Sequence, residues 1–151
     1  VSHEIVRHRL ASYCQESTRY CNYSKAGFGS EITVVMPCFL DRESAAYRHW
    51  FWACSVSETA YFNLLDCGCS PQEARSVLPN SLKTEVIMTA NIREWRHFLK
   101  LRCAKAAHPQ MREVALLLLE KVHTLVPGCF DDIWHKYITD KSEAPLISIA
   151  T

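Results

Sequence analysis

Between residues 7 and 20 the chain reads RHRLASYCQESTRY: three arginines, a histidine, a glutamine, a glutamate, two serines, a threonine, a cysteine and two tyrosines in fourteen positions. Arg7, His8 and Arg9 are adjacent and cationic or protonatable, so they repel one another unless anions lie close by. On a helix Arg7 and Arg9 would point about 200° apart. On an extended chain they share a face and His8 opposes them. A solvated surface cluster and an anion site both fit this triplet. Further along, Gln15, Ser17 and Arg19 alternate with Glu16, Thr18 and Tyr20. If the segment is extended, one edge presents an amide, a hydroxyl and a guanidinium. Such a set can read a nucleobase edge, a sugar hydroxyl and a phosphate, with the arginine supplying a planar fork.

A second group lies on a helix expected to start at Asn91. Trp95, Phe98, Leu99 and Arg102 follow the i, i+3, i+4, i+7 spacing, so Arg102 falls on the apolar stripe. An arginine there needs an anion, because an unpaired buried charge costs several kcal/mol. A structural ion pair with a glutamate and a ligand contact answer that need equally well. Arg93 and His97, four apart, can meet a common partner, and Arg75 reads by default as one half of an exposed salt bridge. His3, His49, His123 and His135 have no partners at ligand spacing and read as surface or core histidines. Ser17 lacks an identifiable base, and Cys14 has only nearby arginines to activate it.

These groups must be held by elements the pattern also predicts. Val1, Ile5, Val6 and Leu10 suit a short helix. The β-branched run EITVVMP, 31–37, reads as a strand, and Arg42 to about Asp66 as a long helix stopped by Gly68. SPQEARSVL opens with a capping box and a proline at the first helical position. LKTEVIMTAN, 82–91, alternates as a strand with Val86 and Met88 on one face, after which Asn91 caps the next helix with Glu94 at its third position. HPQMREVALLLLEKVHTLV forms a buried helix ended by Pro127-Gly128, its run of four leucines suggesting burial on several sides. FDDIWHKY makes a last short helix. The expectation is one helix-rich α+β domain over 1–151 with a small, mainly antiparallel sheet.

Composition narrows the rest. The 151 residues are 48% hydrophobic and carry a formal net charge of +1, which argues against a broad basic face for nucleic acid. No apolar run approaches the roughly 20 residues of a membrane span. The eight cysteines lack the paired spacing of a structural zinc site and read as free thiols in a reducing, cytoplasmic setting. No metal is expected. The chain opens on valine within an apparently ordered segment, and the expectation is that a preceding segment has been removed.

Taken whole, Arg7-His8-Arg9, seven residues and then Ser17 followed by TRY resembles the signature of the flavin-dependent thymidylate synthases. The likeness continues through ARSVLPNSLKTEVIMTANIREWRHFLKLR, 74–102, and covers roughly residues 1–125. The resemblance implies an α+β homotetramer with active sites shared between subunits. It implies methylation of dUMP to dTMP, with methylenetetrahydrofolate giving the carbon and FAD, reduced by NADPH, giving the hydride. It further implies that Arg7, His8, Arg9, Leu10, Asn91, Arg93 and His97 contact FAD. Glu4, Arg7, Gln15, Glu16, Ser17, Thr18, Arg19, Arg75 and Arg102 would contact dUMP, and Arg102 would be catalytic by promoting ionisation at N3 of the uracil. The competing expectation is an inactive nucleotide- or flavin-binding module of the same descent.

Overall fold

The computed structural model describes residues 1–24 and 31–139. Nearly all of the tail TDKSEAPLISIAT therefore lies outside the described residues. The described residues form two compact units: those of Val1–Tyr13 with those from Met88 to Thr139, and those of Cys14–Ile87. Architecture is helix-rich α+β, as the sequence pattern predicts, with a two-stranded antiparallel sheet.

The first unit opens on a short helix, α1 (Ser2–Ile5), and strand β1 (Ala11–Gln15), which starts in that unit, pairs with β2 (Val86–Ala90). The predicted opening helix is thus only one turn long, and Leu10 lies 75% exposed rather than on a helical apolar face. Residues 6 and 7 turn, and the chain then extends. Tyr13 fixes this loop, since its hydroxyl lies 2.9 Å from the Ile5 carbonyl and 2.5 Å from that of His8.

Helix α4 (Ile92–Arg102) follows β2, and Asn91 caps it by accepting the Glu94 backbone N–H at 2.9 Å. α5 (Pro109–Leu125) begins with proline at its first position, and α6 (Asp131–Trp134) continues into a π turn, His135–Thr139. Phe98, Leu99, Cys103, Met111, Ala115, Leu116, Leu119, Phe130, Ile133 and Tyr137 form one buried cluster among these helices. The four leucines are not buried on several sides: Leu116 and Leu119 face the core while Leu117 is 51% exposed. Helical rotation explains the split, because neighbours in sequence point about 100° apart. Arg96 adds a bidentate pair to Asp132 at 2.8 and 2.7 Å, which together with Lys100 holds that carboxyl down at about 2.

The second unit is organised by α2 (Ala45–Asp66), capped by Ser44, whose hydroxyl accepts the Tyr47 N–H. Gly68, at φ 90°, lets the chain leave this helix in the left-handed region that side chains disfavour. α3 (Pro71–Ala74) has the predicted capping glutamate, for the Ser70 N–H donates to Glu73 at 2.8 Å, and a 3-10 turn, Arg75–Val77, follows. Cys21, Tyr23, Tyr61 and Ala74 make the buried cluster of this unit. The predicted strand 31–37 is not a strand. Only the bridge Val34–Leu82 forms, flanked by single backbone bonds from Val35 to Ser81 and from Lys83 to Thr33. Its partner, residues 79–82, is a turn closed by the Leu82 N–H on the Pro79 carbonyl, and a turn offers too few extended residues for a ladder.

Leu119 has no exposed surface and sits at the centre of the first cluster. Truncation of Leu119→Ala should cost about 2–5 kcal/mol of unfolding free energy, read from denaturant melts, as expected for a core cavity.

Candidate functional site

The richest polar cluster in the first unit forms around His8. Arg7 and Arg9 are exposed while His8 is buried to 5%, which is the alternation of the extended reading rather than the helical one. Phe98 lies against the imidazole with ring centroids 4.8 Å apart, and His97 meets it edge-on at 5.8 Å. On one side the His8 Nδ1 is 3.2 Å from a carboxylate oxygen of Glu94. On the other, the Arg102 Nε–H donates to His8 Nε2 at 3.0 Å. Beyond that, Arg102 donates through its two terminal nitrogens to the Glu4 carboxylate at 2.9 Å and the Glu4 carbonyl at 3.1 Å.

These partners settle the protonation of His8. A guanidinium has N–H donors and no acceptor, so Nε2 must offer its lone pair. The single ring proton then resides on Nδ1 and is donated to Glu94. Burial pushes the His8 pKa below its usual value and Arg102 pushes the same way, while Glu94 opposes them without prevailing. His8 is therefore a neutral imidazole of fixed tautomer, wedged between an anion and a cation.

Glu94 was legible in sequence only as a helix cap. Its backbone N–H does bind Asn91, but its carboxylate turns to His8, and the residue is buried to 6%. The signal was present in a weak form: an apolar stripe beside a first-turn glutamate, with a histidine far away in sequence that needed a partner. Arg102 pairs with the Glu4 carboxylate, one of the two kinds of partner that the sequence left open. His8, Glu94 and His97 also hold potential metal-ligating atoms within 4.8 Å of one another. With Nδ1 protonated and Nε2 committed to a cation, His8 has no lone pair left for an ion, and the adjoining guanidinium repels one.

Leu10, Asn91, Arg93 and His97 are exposed in this same unit. Arg7, Arg9 and Arg93 form no ion pair among the described residues. His123, read as a residue without a partner at ligand spacing, pairs with Asp131 at 2.9 Å and stacks on Trp134 at 4.4 Å.

The remaining predicted residues belong to the second unit. The extended edge ends at Gln15, whose amide is 3.5 Å from the Thr84 hydroxyl. After Ser17 the chain turns, with the Tyr20 and Cys21 N–H groups both returning to the Ser17 carbonyl, so Arg19 does not continue the edge. The Arg19 guanidinium lies 5.5 Å from the Tyr20 ring centre. Arg75 is exposed and, rather than the expected salt bridge, donates to the Thr18 hydroxyl at 3.1 Å. Glu16 accepts from the buried Cys21 thiol at 3.4 Å, and burial, aided by this carboxylate, raises the Cys21 pKa. Cys14 is exposed, and all eight cysteines are free of disulfides.

Comparison with known proteins bears on this arrangement. The family model described as thymidylate synthase complementing protein matches residues 1–128. The chain belongs to that family. Among curated relatives of this thymidylate synthase complementing family, a flavin-dependent thymidylate synthase of Geobacter sulfurreducens is 36% identical over 131 residues, covering 87% of this chain and 55% of its own length. That of Pyrococcus horikoshii is 36% identical over 121 residues, 80% and 49% respectively. The one from Mycolicibacterium gilvum is 31% identical over 165 aligned positions, 99% and 64%. The chain thus spans about half to two thirds of the length of the curated relatives it matches.

A neutral buried His8 carries a pH signature. In the unfolded chain its pKa returns to about 6.5, so below that pH the unfolded state binds a proton that the folded state resists. The His8 contribution to stability is complete above about pH 6.5 and is lost as pH falls from there towards the depressed folded value. Melts of His8→Gln should show a flatter pH dependence between pH 7 and 5 than the parent.

Proposed function

We propose that the protein is a flavin-dependent thymidylate synthase, converting dUMP to dTMP with methylenetetrahydrofolate as carbon donor and NADPH as the source of reducing equivalents. The observation that carries the reading is the match over residues 1–128 to a family whose curated relatives bear that name. The chemistry of the exposed donors supports it. FAD contains a diphosphate, and Arg7, Arg9 and Arg93 are exposed guanidiniums without ion pairs among the described residues, as residues awaiting an anion should be. The Asn91 oxygen is committed to the helix cap, which leaves its amide N–H groups to donate. This donor set fits a flavin dinucleotide.

Arg7, Arg9, Leu10, Asn91, Arg93 and His97 are proposed to hold FAD, whose reduced ring supplies hydride when bound; His8, buried with both ring nitrogens engaged, is proposed to serve that site by holding its neighbours rather than by a polar contact of its own. Gln15, Glu16, Ser17, Thr18, Arg19 and Arg75, with Glu4, Arg7 and Arg102, are proposed to hold dUMP. Thr18 and Arg75 already touch, so a phosphate binding one would find the other. A guanidinium such as Arg102 beside the uracil favours the ring deprotonated at N3 and so raises the nucleophilicity of C5. No covalent protein nucleophile is required, because the cofactor carries the difficult chemistry while the protein orients and polarises. Ser17 then acts as a binding hydroxyl.

Homotetrameric assembly with shared sites belongs to the same proposal. Exposed Phe51 and Trp52 on α2 supply apolar surface of the kind that subunit contacts bury. A cytoplasmic setting suits eight thiols free of disulfides, and no described helix is long and apolar enough to cross a membrane.

Release of tritium from C5 of labelled dUMP, dependent on both NADPH and methylenetetrahydrofolate, tests the reading. Arg102→Gln should lower that release about 100-fold or more, and Cys14→Ala should leave it intact. A flavin-bearing protein that releases no tritium would instead be a binding module without turnover.

A further inference from the structure

We propose that Glu94, acting through His8, is a positioning residue for the Arg102 guanidinium. The assignment deepens the proposed function, since it rests on reading Arg102 as the group that meets the nucleotide base.

The Glu4 contacts alone leave part of Arg102 unset. A long side chain in the last turn of α4 has several rotatable bonds, and the Glu4 contacts engage only its two terminal nitrogens. The contact at Nε sets the plane in which the fork lies, and that contact is the lone pair of His8 Nε2. An imidazole offers this lone pair only while its proton is on Nδ1. With the proton on Nε2 the ring would present N–H against N–H, and the Arg102 bond would become a repulsion.

Something must therefore hold the proton on Nδ1. Among the described residues the acceptor there is Glu94, at 3.2 Å, with 7% of its side chain exposed. Its backbone is held at the start of α4, where its N–H is bound by the Asn91 cap. Among the described residues the groups facing His8 are Glu94, Arg102, His97 and the ring of Phe98, and of these Glu94 is the acceptor within hydrogen-bond distance of Nδ1. A carboxylate in the first turn of α4 thus fixes the orientation of a guanidinium in its last turn, through an imidazole supplied from another part of the chain. Glu94 itself touches neither substrate nor cofactor in this scheme.

The test is spectroscopic and uses the full chain. Protein labelled with 15N in histidine and arginine is compared as the parent, Glu94→Gln and Glu94→Met, with His8→Gln assigning the His8 signals. Two-bond 1H–15N correlations in the parent should show His8 protonated at Nδ1, and a protected Arg102 Nε–H should be visible. In Glu94→Met, which keeps length but loses the acceptor, both signatures should disappear and dUMP binding should weaken about tenfold. Glu94→Gln can turn its amide oxygen to Nδ1–H and should restore them. A parent His8 protonated at Nε2 overturns the assignment whether or not either variant folds. So does a folded Glu94→Met protein that keeps the Nδ1 tautomer and the Arg102 signal. Parent protein that shows both signatures but binds no dUMP would refute the nucleotide reading while leaving the Glu94–His8–Arg102 linkage established.

Discussion

The chemistry of the first unit depends on a neutral imidazole buried between a carboxylate and a guanidinium. Each of the three groups would be costly in that place alone. A buried unpaired carboxylate or guanidinium loses its hydration, and an imidazole without partners loses two hydrogen bonds. Together they satisfy one another in the order acceptor, donor–acceptor, donor, and the outer charges have opposite signs. The arrangement gains from α4 as well, because a carboxylate near a helix N-terminus and a guanidinium near its C-terminus both suit the helix dipole. His8 can therefore lie in an apolar setting against Phe98 without being charged.

The two units solve different problems. Around His8, the imidazole and Glu94 are buried, Arg102 and Glu4 are half-buried, and their partners are fixed, so these residues have little freedom to respond individually. Around Ser17 and Arg75 the polar groups are exposed or half-buried, joined by neutral contacts such as the Thr18–Arg75 hydrogen bond. Under the proposed function, held groups such as Arg102 suit the task of polarising a ring, and exposed guanidiniums suit capture of a phosphate, whose affinity they can raise without first breaking an internal ion pair.

Sequence revealed the elements best where local rules sufficed. The caps at Asn91 and Ser70, the stop at Gly68 and the proline start of α3 all depend on neighbours within a few residues. It failed at 31–37, because β-branched residues make a strand only when an extended partner exists, and residues 79–82 form a turn. Within the site, periodicity identified Arg102 as an arginine in need of an anion, but could not choose Glu4, 98 positions away, over a ligand. Glu94 was misjudged for a related reason. A capping glutamate and a buried hydrogen-bond partner look alike in sequence, and only the approach of His8 from 86 positions away distinguishes them.

Because His8 reaches both Glu94 and Arg102, the stretch of α4 between them works as a ruler. Inserting or deleting one residue there would swing Arg102 by about 100° around the helix axis and shift it about 1.5 Å along it. The hydrophobic stripe could partly re-form around such a change; the hydrogen bond to a single nitrogen lone pair could not. Point substitutions on the exposed face of α4 leave this spacing untouched, whereas any change of length does not. The eight-residue interval from Glu94 to Arg102 is consequently a stricter requirement of this hydrogen-bonded linkage than the identity of most residues within it.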